Sequence, residues 1–244
     1  MQTSSKRVAL ITGANKGIGF EVARRLGHSG CTVLLGARNV ELGQKAAAKL
    51  QNEKVDVQFV ELDVGRRETI EAASALIGAN FGKLDILVNN SGIADRADGL
   101  PGKASVEAVE RILQTNFLGA LAVAQAMLPW LRNSPAGRIV NVSSGLGSLA
   151  FNADFESEFA AVKLIGYGAS KAALNMLTVH LAYELRDTAI KVNSSDPGYT
   201  ATDLNGNSGY QTVEEGAAET IRLSLLPADG PTGGFFARAG REPW

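Results

Sequence analysis

The chain has 244 residues, a length that suits one α/β domain able to bury a substantial apolar core without disulfides. Lys plus Arg total 24 and Asp plus Glu total 25, so the net charge of −1 does not indicate a nucleic acid or an anionic membrane as partner. The single cysteine, Cys31, excludes an internal disulfide framework and is typical of the reducing cytoplasm, where we expect a buried, inert thiol.

Short β-branched runs alternate with longer helical stretches along the whole chain. The predicted strands are Val8–Thr12, Thr32–Leu35, Val55–Leu62, Ile86–Val88, Arg138–Val142 and Ile190–Val192, with a last strand within Gly230–Phe236. The predicted helices are Ile18–Leu26, Val40–Leu50, Thr69–Phe81, Val106–Leu131 and Tyr167–Leu185. Strands that are apolar throughout suit a sheet covered on both faces. The alternation predicts a single α/β domain over residues 1–244, a doubly wound (Rossmann) parallel sheet flanked by helices on both faces.

The longest predicted helix, Val106–Leu131, is apolar almost all round between Ile112 and its end. A surface helix should carry one apolar stripe, so this segment is expected to pack on two sides. Burial in the core and burial against a second subunit explain the pattern equally well. No uninterrupted apolar run approaches the length of a bilayer crossing, and we expect no membrane span.

A glycine-rich turn follows the first predicted strand directly and leads into the first predicted helix. It spans Thr12–Gly19, with glycines at positions 13, 17 and 19. Glycines let a backbone turn tightly and approach a ligand closely, and the free N–H groups at a helix N-terminus attract phosphate. Because it lies between a strand and a helix, the pattern predicts a cradle for the pyrophosphate of a dinucleotide.

The end of the second predicted strand indicates which dinucleotide binds. An NAD site places an acidic residue there, whereas this chain has Gly36 and Ala37 followed by Arg38. Lys16 adds a second cation inside the glycine-rich turn. Two cations and no carboxylate favour the 2′-phosphate of NADP. The alternative is that Arg38 faces solvent and Lys16 caps the helix.

Tyr167 and Lys171 lie four residues apart in a predicted helix, which places both side chains on one face. A nearby ammonium stabilises a phenolate and lowers the pKa of the phenol, so Tyr167 is a candidate general acid or base. Since the spacing alone is common, the alternative is a surface tyrosine followed by a solvated lysine.

Several further motifs accompany these features in a defined order along the chain. After the glycine-rich turn come Asp63, Asn89–Gly92, Asn116, Ser143-Ser144, Tyr167-x-x-x-Lys171 and Pro197-Gly198 with Thr202. With this ordered set the sequence resembles the short-chain dehydrogenase/reductase family over nearly its whole length. Asn15–Gly19 resembles the carbonyl-reductase-like members in particular. Ser91 replaces an alanine of the family's pattern, a change that we expect to be tolerated.

The resemblance implies a catalytic set of four residues and no metal. Tyr167 would donate a proton to the substrate carbonyl oxygen in reduction, and Ser144, rather than Ser143, would hydrogen-bond the same oxygen. Lys171 would lower the Tyr167 pKa and bind the nicotinamide ribose. Asn116 would hold a water near that lysine to relay protons to solvent.

The resemblance also implies how NADP(H) is held. Asp63 would accept from the adenine amino group and Asn90 would contact the adenosine ribose. Helix capping by Asp63 and Thr202, and a turn formed by Asn90, are the alternatives. The residues expected to bind the cofactor are Gly13, Asn15, Lys16, Gly17, Ile18, Gly19, Arg38, Asp63, Val64, Asn90, Gly92, Tyr167, Lys171, Pro197, Gly198, Thr200 and Thr202.

The segment between Ser144 and Tyr167 is longer than the family usually has, and it resembles that of carbonyl-reductase-like members. We expect this insertion, about residues 146–165, to form one wall of the substrate pocket with its apolar side chains inward. A surface helix that buries one phenylalanine face is the alternative. A large insertion here opposes subunit association, so the resemblance allows a homodimer or homotetramer without favouring one. The expected pocket residues are Ile93, Leu146, Phe151, Phe155, Phe159, Tyr199 and Leu204.

The sequence therefore predicts a cytoplasmic, NADPH-dependent reductase of ketones or aldehydes that oxidises secondary alcohols in reverse. Its partner would be a small, fairly apolar carbonyl compound. The alternative from another class is a non-catalytic NADP-binding sensor or scaffold protein. Such proteins usually lack part of the Ser-Tyr-Lys set, which is complete here.

Overall fold

The computed structural model describes residues 6–244. The strands are β1 Val8–Ile11, β2 Thr32–Ala37, β3 Val57–Glu61, β4 Ile86–Asn89, β5 Arg138–Val142, β6 Lys191–Ser195, β7 Gly234–Ala237 and β8 Gly240–Glu242. The α-helices are α1 Gly17–His28, α2 Val40–Asn52, α3 Arg67–Asn80, α4 Val106–Leu113, α5 Ala120–Arg132, α6 Leu149–Ala153, α7 Ile165–Glu184 and α8 Val213–Ser224.

All of these strands join one sheet in the order β3-β2-β1-β4-β5-β6-β7-β8. Neighbouring strands from β3 to β7 run parallel, and β8 returns antiparallel to β7. The short turn between the last two strands pairs Ala237 with Gly240, whose φ of +128° suits glycine. The predicted doubly wound sheet is confirmed. The antiparallel edge strand corrects the expectation that the sheet is parallel throughout.

Two apolar layers cover the two faces of the sheet. In β1, Leu10 faces the layer formed with α3, α5 and α7, while Ala9 and Ile11 face the layer formed with α1, α2 and α8. Because both faces are covered, the strands read as continuous apolar runs rather than alternating ones. Cys31 is buried in the second layer, and burial raises the pKa of its thiol, as expected for an inert cysteine.

The stretch predicted as one helix contains a π-helical turn, Gln114–Gly119, between α4 and α5. One side of α5 is buried in the core layer beside α3, whereas Leu118 on the π-helical turn remains 44% exposed. By length and composition, Val106–Arg132 is the one helical stretch of residues 6–244 that could cross a bilayer, with a mean hydropathy of 1.3. Core helices meet the same criterion, and this stretch packs into the core. Burial against a second subunit stays a prediction.

The switch in strand order positions the site. β1 and β4 are neighbours at the centre of the sheet, with Ile11 aligned to Val88, and the chain moves from them to opposite edges. Thr12 and Asn90 therefore leave adjacent carboxyl ends of the sheet, where doubly wound folds open a crevice for ligands.

Candidate active site

The turn between β1 and α1 presents backbone rather than side chains. Gly13 and Gly17 have φ angles of +64° and +56°. A Cβ on Gly19 would collide with the Asn90 amide and would lie 2.7 Å from the Gly13 carbonyl oxygen. The N-cap residue Lys16 provides no side-chain cap, so the first N–H groups of α1 stay open to a ligand. This cradle fits a pyrophosphate.

Asn90 holds the glycine-rich turn against β4. Its side-chain amide donates to the carbonyl oxygens of Thr12 at 2.9 Å and Gly13 at 3.2 Å. The Thr12 hydroxyl in turn accepts from the backbone N–H groups of Asn90 and Ser91, each at 3.0 Å. The amide nitrogen is therefore engaged by protein. This geometry supports the turn-forming role for Asn90 more directly than contact with the adenosine ribose.

A cleft of about 380 Å³ opens between the glycine-rich turn and α7. It brings together residues that lie far apart in the sequence, from the segments that follow β1, β2, β3, β4 and β6. The predicted cofactor residues that line it are Gly13, Asn15, Lys16, Gly17, Ile18, Gly19, Arg38, Asp63, Val64, Asn90, Gly92, Tyr167, Lys171, Pro197 and Thr202.

Gly198 and Thr200 do not belong to this lining. Thr200 is buried, and its hydroxyl donates to the carbonyl oxygen of Pro197 at 2.9 Å. These two residues lie behind the part of the cleft lining that Pro197 and Thr202 form. Asp63 lines the cleft, and its carboxylate accepts from the Gly65 N–H at 3.0 Å. This hydrogen bond shapes a turn; the N-cap residue of α3 is Arg66, so Asp63 is not the helix cap.

The two cations predicted to bind phosphate differ in their surroundings. The Lys16 ammonium lies 2.6 Å from the Asp203 carboxylate, and this exposed pair joins the glycine-rich turn to the segment after Thr202. The hydrogen bond from Lys16 lowers the pKa of the Asp203 carboxyl. Arg38 is exposed at the end of β2, with no hydrogen-bond or ion-pair partner in the part of the chain that the structure describes. Within the described residues, therefore, Lys16 is engaged by a carboxylate and Arg38 is not, and the binding of a phosphate by either stays a prediction.

Tyr167 and Lys171 lie on one face of α7, as their spacing predicts, and both line the cleft. The Lys171 Nζ is 5.6 Å from the centre of the Tyr167 ring and donates to the Val142 carbonyl oxygen at 2.7 Å. A Cβ on Gly92 would lie 3.6 Å from that ammonium, so the glycine leaves the cleft open at this point.

Burial sets the direction of both pKa shifts. Burial and, next, the charge of Asp196 raise the pKa of Tyr167, while its hydrogen bond with Ser144 lowers it in part. Burial lowers the pKa of Lys171 to about 8, and the charge of Asp196 opposes that shift. The pKa of Tyr167 is therefore raised and not lowered as the resemblance implies, because desolvation penalises the phenolate and the charge of Asp196 adds to that effect.

Ser144 and Ser143 make different contacts. The Ser144 hydroxyl hydrogen-bonds Tyr167 and accepts from the Leu146 N–H at 3.2 Å. Ser143 borders the cleft, but its hydroxyl donates to the Lys171 carbonyl oxygen at 3.4 Å, and its side chain is buried. Ser143 rather than Ser144 belongs to the cleft lining, and the choice of Ser144 to hydrogen-bond the substrate carbonyl stays a prediction.

Asn116 lies in the π-helical turn, a feature often found at functional sites. Its amide oxygen accepts from the Ile93 N–H at 2.8 Å, and its amide nitrogen donates to the Ile93 carbonyl oxygen and to the Ser170 hydroxyl, both at 3.0 Å. The side chain thus joins the segment after Gly92 to α7. A water held by Asn116 stays a prediction.

The predicted substrate residues fall into separate places. Ile93 and Leu204 line the cleft. Leu146 instead lines a second, apolar cavity of about 290 Å³ that also includes Lys163. The Tyr199 hydroxyl hydrogen-bonds the Ser208 hydroxyl, and its ring is not part of either lining.

The expectation that the three phenylalanines of the insertion face inward is wrong for Phe155, which is 80% exposed. α6 ends at Ala153, and the Ser157 hydroxyl then donates to the Phe151 carbonyl oxygen at 2.8 Å, which leaves Phe155 at the tip of the turn. Phe151 and Phe159 stack at 4.9 Å between ring centres, and Phe159 packs against Gly145. Neither ring lines the cleft; the two rings instead pack on the far side of the turn that contains Ser144.

Two carboxylates beside the site were not found from the sequence. Asp98 accepts from the backbone N–H groups of Gly166 and Tyr167, each at 2.9 Å. Asp196 is buried and contacts two backbone N–H groups near the cleft. The partners of Asp98 lie some 70 residues along the chain, so no local pattern marks it. The one available signal for Asp196 was an acidic residue directly before Pro197.

Comparison with known proteins agrees with this geometry. The family model described as short chain dehydrogenase matches residues 7–212. Carbonyl reductase [NADPH] 1 of Mus musculus is 36% identical over 282 aligned positions, which cover 99% of this chain and 100% of the mouse protein. Short-chain dehydrogenase/reductase 1 of Saponaria officinalis is 35% identical over 296 positions, which cover 99% and 97%. Both alignments are longer than this chain, so these relatives carry residues that it lacks.

Solved structures show the same likeness in three dimensions. The NADPH-bound carbonyl reductase from chicken fatty liver superposes with a TM-score of 0.85 at 29% identity and covers 98% of this chain and 99% of its own. Salutaridine reductase from Papaver somniferum gives a TM-score of 0.83 at 31% identity, with 96% and 100% covered. The resemblance predicted from the motifs is confirmed: the chain belongs to the short-chain dehydrogenase family of oxidoreductases.

Proposed function

We propose that the protein is an NADP(H)-dependent carbonyl reductase that reduces ketones or aldehydes to alcohols and catalyses the reverse oxidation. The observation that carries the proposal is the placement of Tyr167 and Lys171 in the same cleft as the glycine-rich turn, with Ser144 hydrogen-bonded to the phenol. The partner would be a small carbonyl compound, and Ile93 and Leu204 supply apolar surface for it.

The chemistry that a bound NADPH supplies is hydride transfer, and the protein must position the carbonyl and provide a proton. Tyr167 would protonate the carbonyl oxygen while Ser144 hydrogen-bonds the same oxygen as its negative charge develops. Lys171 would bind the nicotinamide ribose and, in reduction, would help return a proton from the side of Asn116 to the Tyr167 phenolate. The raised pKa of Tyr167 keeps the phenol protonated at neutral pH, which is the form that carbonyl reduction requires.

The choice of NADP(H) over NAD(H) is supported by the end of β2. Gly36 and Ala37 offer no carboxylate to the adenosine ribose, and the Arg38 guanidinium beside them has no partner among residues 6–244, so it could bind a 2′-phosphate bidentately. The names of the mouse and chicken relatives specify NADPH for those proteins. We infer the same cofactor for this chain.

The test follows NADPH and NADH absorbance with a panel of aryl and alkyl ketones, together with chiral analysis of the alcohols. Tyr167→Phe should lower turnover by about 100-fold or more while the Kd for NADPH stays near the wild-type value. Full activity of this variant would defeat the assignment of the acid. Tight NADPH binding without turnover of any carbonyl would favour a non-catalytic NADP-binding sensor instead.

A further inference from the structure

Asp196 follows β6 directly and is 7% exposed, an unusual place for a carboxylate. Its Oδ2 accepts from the backbone N–H of Gly145 at 2.8 Å, and its Oδ1 accepts from the backbone N–H of Gly198 at 2.8 Å. Its own N–H donates to the Phe236 carbonyl oxygen at 2.8 Å. Both oxygens and the backbone are therefore fixed, so the side chain has one well-defined position.

The two glycines belong to different segments of the site. Gly145 directly follows Ser144, the partner of the phenol, and Gly198 directly follows Pro197 on the cleft wall. A single carboxylate thus joins the turn that carries the serine to Pro197-Gly198, which are expected to bind the cofactor. Hydrogen bonds to an ionised acceptor are shorter and stronger than neutral ones, so the junction resists displacement.

The environment of Asp196 also makes its charge effective at the site. The ring of Phe159 and the Asp196 carboxylate both lie against the Gly145 backbone, which keeps water away from that side. The titratable groups that sense this charge are Tyr167 and Lys171 on α7; its effect is to raise the pKa of each. The other carboxylate at the start of α7 is Asp98, which contacts backbone N–H groups there.

We propose that Asp196 is a positioning residue of the proposed reaction. Its carboxylate fixes the Ser144 turn relative to Pro197-Gly198 through its hydrogen bonds with the backbone N–H groups of Gly145 and Gly198. This inference rests on the proposed reductase function and names a group that the known motifs do not include.

The main test is Asp196→Asn, which keeps the volume, removes the charge and leaves one of the two N–H groups without its acceptor. We expect kcat for carbonyl reduction to fall about 10-fold or more, since hydrogen bonds to charged groups contribute strongly. Reduction needs protonated Tyr167 and Lys171, so the rate falls as pH rises through their pKa values. Removing the charge lowers both values, and that falling limb should move to lower pH by about one unit.

Asp85→Asn is the matched control. Asp85 is also a buried carboxylate that accepts a backbone N–H, that of Val8 at 2.8 Å, but it precedes β4 and so lies at the end of the strands opposite to the cleft. This variant should lower the unfolding temperature and leave the pH profile unchanged. An equal shift in both variants, or an unshifted profile in Asp196→Asn, would overturn the proposal.

Two further measurements keep the inference testable. If Asp196→Asn does not fold, Asp196→Glu retains the charge but displaces the turn. It should lower kcat while the falling limb of the pH profile stays at the wild-type pH. An unchanged kcat overturns the positioning role. If the wild-type protein reduces no carbonyl, the proposed function fails. The pH dependence of the Kd for NADPH, measured by calorimetry, then decides. If the Kd changes at a lower pH in Asp196→Asn than in the wild-type protein, the inference is supported; if it changes at the same pH, the inference is refuted.

Discussion

The backbone N–H of Tyr167 donates to the carboxylate of Asp98 at 2.9 Å. Asp98 lies in the loop that precedes α4, and Tyr167 lies in α7, so this hydrogen bond joins the loop to the helix that carries the phenol. The same carboxylate accepts from Gly166, and the Gly99 carbonyl oxygen accepts from the N–H of Ile165 at 3.0 Å. Three N–H groups at the start of α7 are satisfied in this way, and a negative charge complements the helix dipole. Asp98 therefore determines where the chain places Tyr167.

Replacing Asp98 with Ala should lower kcat by about 10-fold, because a small displacement of the phenol weakens proton transfer strongly. The Kd for NADPH should change little, since Asp98 does not line the cleft. Loss of the cap should also reduce the free energy of unfolding by about 1–2 kcal/mol. Steady-state kinetics, calorimetric titration with NADPH and urea unfolding measure these three quantities.

Asp95→Ala is the control for this prediction. Asp95 lies in the same loop and pairs with Arg111 at 2.7 Å, without contacting α7 in the described structure. Its replacement should leave kcat near the wild-type value. Equal losses of kcat in the two variants would show that loop integrity, rather than the cap on Tyr167, matters.

Lys171 should give the stability of the protein a pH dependence. Its folded pKa of about 8 lies below the ordinary 10.5, so between these values the unfolded chain binds a proton that the folded chain does not. The free energy of unfolding therefore rises with pH through that window, by on the order of 2–3 kcal/mol. Above about pH 10 the raised pKa of Tyr167 acts the other way, because the folded phenol keeps a proton that the unfolded one loses.

Lys171→Met should remove this rise, which urea unfolding at about pH 7 and about pH 9.5 would detect. The variant should be inactive as a reductase. Lys191→Met, on β6 and outside the cleft lining, is the control and should keep the wild-type dependence. If stability rises equally in wild type and Lys171→Met, the buried ammonium is not its cause.

The sequence predicted those parts of the site whose chemistry depends on local spacing. The glycine-rich turn and the pair Tyr167 and Lys171 could be recognised because strand, turn and helix follow one another within a few residues. α8 was missed although Thr212 and Glu215 form a reciprocal cap, a pattern that marks a helix start.

The rest depends on contacts between distant parts of the chain. Lys16 was expected to be available for phosphate, but it pairs with Asp203, 187 residues away. The pKa of Tyr167 was expected to fall, but burial and the charge of Asp196 raise it, and both depend on the folded whole. The outward position of Phe155 follows from the length of α6, which periodicity cannot fix within a short segment.

Arg38→Asp should move the cofactor preference from NADPH toward NADH. A carboxylate at this position repels a 2′-phosphate and accepts from the ribose hydroxyls of NADH. Since a charge-assisted hydrogen bond contributes about 1.5–3 kcal/mol, the ratio of kcat/KM values should fall by about 10- to 100-fold. Arg186→Asp, an exposed arginine outside the cleft lining, should leave the ratio unchanged. An unchanged ratio in Arg38→Asp would remove that residue from the phosphate site.

Asp203→Asn should strengthen NADPH binding, because it frees the Lys16 ammonium to act beside Arg38 and removes a negative charge from the cleft. Exposed pairs are weak and screened by salt, so we expect the Kd for NADPH to fall about threefold at low ionic strength and less at high. The Kd for NADH, which carries the pyrophosphate but no 2′-phosphate, should fall less. Asp187→Asn, an exposed carboxylate outside the cleft lining, controls for net charge. Equal weakening of both cofactors would instead mean that the Lys16–Asp203 pair holds the cleft in its binding shape.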